Sequence, residues 1–192
     1  YSTNTLDKLL SAFVYKLSDE LNNPNYNPEN PHFKLSNNWL VILELLLKHG
    51  VDINANLQIS TDNSSYFNKS TFCIEFIKCR TMRTNDSNET VIENNQQKLI
   101  LLVLHKLAAH NISIDLQDNN GQTALHYAVT QGYEDIVIYL VKELKAKIDI
   151  KDKNGETPIF IAARQTNQKL FKFLIKSGSN PDEKNTKNET PM

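Results

Sequence analysis

The chain has 192 residues, 22% of them charged, and a formal net charge of −1. That length allows one domain with a sizeable core, and the near-neutral balance gives no global field for nucleic acid. No apolar run approaches the roughly 18 residues that span a bilayer. The two cysteines, Cys73 and Cys79, have no His pair nearby and suit buried free thiols in a reducing compartment. The chain opens at Tyr1 rather than Met, so it reads as a fragment whose targeting cannot be judged.

Leu6, Leu9, Leu10, Phe13, Val14, Leu17 and Leu21 recur at three- and four-residue spacing, which predicts an amphipathic helix over 6–21. Residues 22–31 hold three prolines and five asparagines and read as a loop. A second helix is predicted over Asn38–His49, ending at Gly50 as a left-handed cap. Its apolar residues cover more than one stripe, which predicts burial between layers. Residues 56–69 are polar and turn-rich, and 81–97 more so; both read as surface insertions. Between them, Phe72–Cys79 is predicted as a short helix. Lys98–Ala109 is its partner, with Asn111 in the left-handed position where Gly is usual.

From here a pattern repeats. Residues 118–128 read Asp-Asn-Asn-Gly-Gln-Thr-Ala-Leu-His-Tyr-Ala, and 152–162 read Asp-Lys-Asn-Gly-Glu-Thr-Pro-Ile-Phe-Ile-Ala. Asn-Thr-Lys-Asn-Glu-Thr-Pro-Met opens a third copy at 185, and Thr123, Thr157 and Thr190 are 34 and 33 residues apart. A fixed period of this size is the mark of a repeat array. Asp-x-x-Gly is turn chemistry, and Thr followed by Ala or Pro starts a helix. The hairpin lead recurs at Ile53, Ile114, Ile148 and Pro181. Its first step of 61 is about one repeat plus 28 residues, so the second repeat carries the insertion. Helices are predicted from Thr123, over about Glu134–Leu144, and again in the fourth repeat. Thr166 stands there at the inter-helix glycine position, and Lys145 at the end of the third repeat.

This pattern resembles the ankyrin repeat, Asp-x-x-Gly-x-Thr-Pro-Leu-His-x-Ala, closely over 112–192 and more loosely over 36–56. The resemblance implies an all-α solenoid of stacked helix pairs with short β-hairpin tips. We divide it into a degenerate N-terminal repeat (1–56), a repeat with an insertion (57–117), repeats at 118–151 and 152–184, and the start of another at 185–192. The last ends at Met192 inside a first helix, and the natural chain is expected to continue. The resemblance also implies a hydrogen bond between the motif Thr and His side chains, which only Thr123 and His126 can make.

No catalytic constellation emerges. His105 and His110 lie on different helix faces, Cys73 has no protease signature around it, and no nucleotide loop is present. No cofactor or metal is expected. The six Asn-x-Ser/Thr sequons are read as by-products of an Asn-rich composition. The leading function is therefore a non-catalytic protein-interaction scaffold, expected to be monomeric and cytoplasmic. The alternative is the targeting module of a longer enzyme. The Asn- and Lys-rich composition is compatible with an effector delivered to a host cytosol or a viral protein. The resemblance places partner-binding positions at hairpin tips and first helices: Gln117, Asn119, Asn120, Gln122, Thr130 and Gln131. From the next repeat come Lys151, Lys153, Asn154, Glu156, Arg164 and Gln165, and then Lys184, Thr186 and Lys187. Five of these are basic and one is acidic, so an acidic protein surface is the expected partner; nucleic acid ranks last. Leu46 through Asn54 resembles the Leu-x-x-x-x-x-Asp-Ile-Asn target of ankyrin asparaginyl hydroxylases, with Asn54 as acceptor.

Overall fold

The computed structural model describes residues 10, 12, 35–54, 57–59, 68–70, 72–78 and 89–191. The predicted loop at 22–31, Cys79 and most of the predicted helix at 6–21 lie outside them. Leu10 and Ala12 are both helical, and Leu10 is fully buried. Seven helices and one two-stranded ladder are present among the described residues. The chain divides into two compact units, Tyr1–Ile112 and Ser113–Met192.

In the first unit, α1 spans Leu35–Lys48 and closes on Gly50. Gly50 has φ +77°, and Val51 N–H reaches back to Leu46 O at 3.2 Å, which satisfies a carbonyl the helix leaves open. α2 spans Phe72–Lys78 and buries Cys73, Ile74, Phe76 and Ile77. Glu75 and Lys78 are half-buried on its other face and pair at 3.0 Å. Burial pushes the Cys73 thiol up to about 12, so it is a core group and not a thiolate at neutral pH. α3 spans Glu89–Ala108, and Ile100, Val103, Leu104 and Leu107 form its buried stripe at helical spacing. Asn111 ends it with φ +53°.

Three expectations are corrected here. The α3 helix begins at Glu89, so residues 89–97 of the expected insertion loop are helical. They are polar but contain neither Gly nor Pro, and nothing stops a helix that Lys98–Ala108 already nucleates. The polar stretch at 56–69 holds a short antiparallel ladder, β1 (Leu57–Ile59) against β2 (Asn68–Ser70), with Leu57 opposite Ser70. Finally, α1 is not buried between layers. Leu43 is 2% exposed, whereas Val41, Ile42 and Leu45 are 52%, 40% and 50% exposed. Among the described side chains of α1, the stripe led by Leu43 meets a core and the opposite face does not.

In the second unit, α4 (Ala124–Gln131) and α5 (Glu134–Lys142) form one antiparallel pair. Another comprises α6 (Pro158–Arg164) and α7 (Gln168–Lys176). Thr123 and Thr157 precede the first helices in extended conformation, with Pro158 at the first helical position. The Thr157 side chain accepts no capping hydrogen bond, so that start rests on Pro158 and on backbone geometry. Asn167 caps α7 by accepting from Leu170 N–H at 3.1 Å. Leu125, Ala128 and Val129 of α4 and Ile136, Val137 and Leu140 of α5 are buried, as are Ile159 and Ala162 of α6 and Leu170 and Leu174 of α7. Each large aliphatic side chain among them contributes about 1.5–3 kcal/mol on burial. Thr166 and Lys145 take φ +54° and +56°, at the positions the repeat reserves for glycine.

Candidate interaction surface

The hairpin tips of the second unit are built by one device used three times. Asp118 Oδ1 accepts from the backbone N–H of Asn120 at 2.8 Å and of Gln122 at 2.9 Å. Asp152 Oδ1 does the same for Asn154 and Glu156, at 2.8 and 2.9 Å. Asn185 Oδ1 accepts from Lys187 and Glu189 at 3.0 and 2.9 Å, so an amide oxygen replaces the carboxylate without loss of geometry. Each tip also closes through its backbone: Gly121 N–H to Asp118 O, Gly155 N–H to Asp152 O and Asn188 N–H to Asn185 O.

Successive tips then bond to one another through the main chain. Lys153 N–H donates to Asn120 O, and Thr186 N–H to Asn154 O, both at 2.9 Å. A Cβ on Gly121 would lie 2.9 Å from Lys153 N, and one on Gly155 2.9 Å from Thr186 N. Glycine is needed there for close approach as well as for φ of +76° and +73°. Side chains reinforce the ladder. Gln117 Nε2 donates to Gly121 O and Lys151 O, at 2.6 and 2.9 Å. Thr186 Oγ1 donates to Asn154 O at 2.8 Å, and Gln165 Nε2 to Thr130 O at 2.7 Å.

Beneath the tips, His126 is fully buried and shared by two repeats. Its Nδ1 accepts from Thr123 N–H at 3.1 Å and lies 2.9 Å from Thr123 Oγ1. An acceptor at Nδ1 puts the proton on Nε2, which donates to Glu156 O at 3.2 Å. Burial lowers its pKa, partly opposed by the bond to Glu156 and by nearby Asp152, Asp118 and Glu156. The neutral imidazole is thus a structural bridge.

The fifteen positions divide by what they already do. Glu156 is buried and its carboxylate is taken by Arg164 and by Asn185 Nδ2. Lys151 pairs with Glu183 at 2.8 Å. Thr130, Gln165 and Thr186 are exposed but hydrogen-bonded within the stack. Gln117, Asn120 and Asn154 are exposed, whereas Asn119, Gln122 and Gln131 are half-buried. Lys153, Lys184 and Lys187 are exposed and form no ion pair among the described residues. Sequence reasoning missed the internal role of Glu156; its signal is an acid at a tip position with an arginine two turns along the following helix. Asn54 is half-buried, and its Nδ2 donates to Asn111 O at 3.2 Å.

Chemistry is sparse around this surface. No group of three His, Cys, Asp or Glu side chains among the described residues could hold a metal ion. An open groove of about 280 Å³, lined by Ala162, Ala163, Phe171, Lys172 and Pro191 among others, falls just under the usual range of about 300–1,000 Å³ for ligand pockets. No helix among the described residues is long and apolar enough to cross a membrane.

A family profile described as ankyrin repeats (3 copies) matches residues 90–188. The chain belongs to the ankyrin-repeat family. No curated protein matches it. The match begins on α3, so the ankyrin pattern includes α3 as well as the helix pairs of the second unit, while α2 lies before it. Ankyrin repeats are protein–protein interaction modules and generally non-catalytic, in keeping with a surface made of stacked main-chain tips.

Proposed function

We propose that the chain is a non-catalytic scaffold that binds an acidic protein surface along the tips of its second unit. The observation that carries this is the trio Lys153, Lys184 and Lys187, exposed on successive tips and free of ion pairs among the described residues. Lys151 and Arg164 extend the basic edge, but each first gives up an internal acid, Glu183 or Glu156. Glu156 serves the fold and is left out of the contact surface. The working state is read as a cytoplasmic monomer; delivery into a host cytosol rests on composition alone.

Exposed ion pairs are worth about 0.2–1 kcal/mol each. Their joint effect should therefore appear in association rate and salt dependence. The test is a Lys153→Glu, Lys184→Glu, Lys187→Glu variant measured against a Glu/Asp-rich peptide. The association rate should fall about tenfold at low salt and lose its salt dependence. Unchanged rates in a folded variant would move the site off the tips.

We also propose Asn54 as an acceptor for an asparaginyl hydroxylase, on the Leu46-to-Asn54 spacing. Its amide is held by Asn111 O, so the enzyme must release that bond before it can act. Intact-mass analysis after incubation reads the result directly; no added oxygen at Asn54 ends the idea.

A further inference from the structure

Four of the large apolar side chains that stand exposed lie on two helices of the first unit: Val41, Ile42 and Leu45 on α1, and Leu102 on α3. On α1 they occupy positions i, i+1 and i+4, a single face opposite the buried Leu43. Lys106 bonds Glu44 and so joins the two helices on this side. Leu102 lies one turn before Lys106, on the same stripe of α3.

Register separates this face from ordinary exposed residues. Counted back from the left-handed residues Gly50, Asn111 and Gly178, Val41 and Leu102 share a position with Lys169. Lys169 is 81% exposed at its side chain, which is what a solvated position normally carries. One residue on, Ile42 aligns with Val103 and Leu170, which are 4% and 1% exposed, yet Ile42 is 40% exposed. The first unit thus carries apolar residues at an outward position and leaves a core-type isoleucine uncovered. Exposed apolar side chains gathered on one helix face, with Leu102 brought alongside by the Lys106–Glu44 pair, are the kind of surface that interaction sites use.

The charges around it specify the occupant. Lys48 follows Leu45 by three residues, and Lys98 precedes Leu102 by four; both are exposed. Glu44, an acid on this side among the described residues, is already paired with Lys106. An apolar centre with a basic border is complementary to an amphipathic helix whose apolar stripe is flanked by carboxylates. A bilayer is the poorer match, because the exposed apolar side chains described on this face are all aliphatic, with none of the interfacial aromatics that anchor a surface in lipid among them. We propose that the Val41–Leu45–Leu102 face docks an acidic amphipathic helix of a partner protein, independently of the tips.

The test uses the full chain and a panel of fluorescent helical peptides. Each carries Leu, Ile or Phe anchors at i, i+4 and i+7 and glutamates on both flanks. At least one should bind, and a charge-swapped version with lysine flanks should bind about tenfold more weakly. A Val41→Ser, Leu45→Ser variant should lose at least that much while keeping the parent circular dichroism and melting curve, since both side chains are exposed. The Lys153, Lys184, Lys187 reversal should leave this binding unchanged. Failure of every peptide overturns the proposal. Binding that survives the double serine variant overturns it too. Association with anionic vesicles in place of peptide, abolished by the same variant, would make the face a membrane contact. A concentration-dependent dimer lost in the variant would assign it to a second copy.

Discussion

The α4–α5 pair, read as the third repeat, and the α6–α7 pair, read as the fourth, fold alike and solve the same local problems with different residues. Where the third places His126, bonded to Thr123 and to Glu156 O, the fourth places Phe160, 5% exposed. Where the third turns between helices on Gly132 at φ +72°, the fourth turns on Thr166 at φ +54°. At the end of the second helix the roles reverse: Lys145 stands left-handed in the third, Gly178 in the fourth. The next residue is Ala146 in one and Ser179 in the other, both buried, and the Ser179 hydroxyl has no hydrogen-bond partner. One backbone therefore tolerates several side-chain solutions, at unequal free-energy cost, and exchanging them measures that cost.

The largest effect is expected where tip meets tip. Gly121→Val adds a β-branched side chain at φ +76° and drives its Cβ to 2.9 Å from Lys153 N. The loss should be about 3 kcal/mol, combining left-handed strain with overpacking. Asn188→Val, at the same register, should lose less, because Asn188 already holds φ +64° without glycine. Equal denaturant midpoints for the two variants would defeat the assigned close approach.

Removing the imidazole comes next. His126→Ala opens a cavity and leaves Glu156 O without its donor, for a loss of about 2–3 kcal/mol. The pH dependence follows from the direction of the shift. The folded pKa of His126 lies below its ordinary value near 6.5, so the unfolded chain takes up the proton first. Its contribution is fully present above about pH 6.5 and is lost as pH falls through the folded pKa. Urea midpoints measured between pH 7 and 5 should fall for the parent, and fall less for the variant.

Two substitutions should raise stability. Thr166→Gly relieves a β-branched residue of a left-handed conformation. After the entropy glycine costs, a gain of about 1 kcal/mol is expected in the thermal midpoint. Ser179→Ala copies Ala146 and removes an unbonded buried hydroxyl, for a gain of about 0.5 kcal/mol. A loss at position 179 would mean the hydroxyl is bonded after all.

The regular repeats were legible because each signal was local. Asp-x-x-Gly set the tips, Thr-Pro set the helix starts, and left-handed Asn111, Lys145 and Thr166 could be placed by counting from glycines elsewhere. The first half resisted for physical reasons. Polar residues 89–97 carry no breaker, and composition alone could not tell a loop from the continuation of α3. The pairing of Leu57–Ile59 with Asn68–Ser70 joins segments too short for periodicity to register. The apolar breadth of α1 announces burial, but a sequence cannot say whether a layer is present to cover it. At the tips, position identified exposed residues but not prior commitments: Glu156, Lys151 and Arg164 are spoken for by partners 29, 32 and 8 residues away.

The main-chain bonds between tips bear on how this surface can change over generations. Lys153 N–H and Thr186 N–H reach the carbonyls of Asn120 and Asn154 whatever side chains those residues carry. Register between neighbouring repeats is thus inherited from atoms that mutation cannot replace, except by proline. Lys153 and Lys187 can drift in charge, size or shape with little penalty in folding. New binding preferences can accordingly be sampled one residue at a time, without a compensating change in the core.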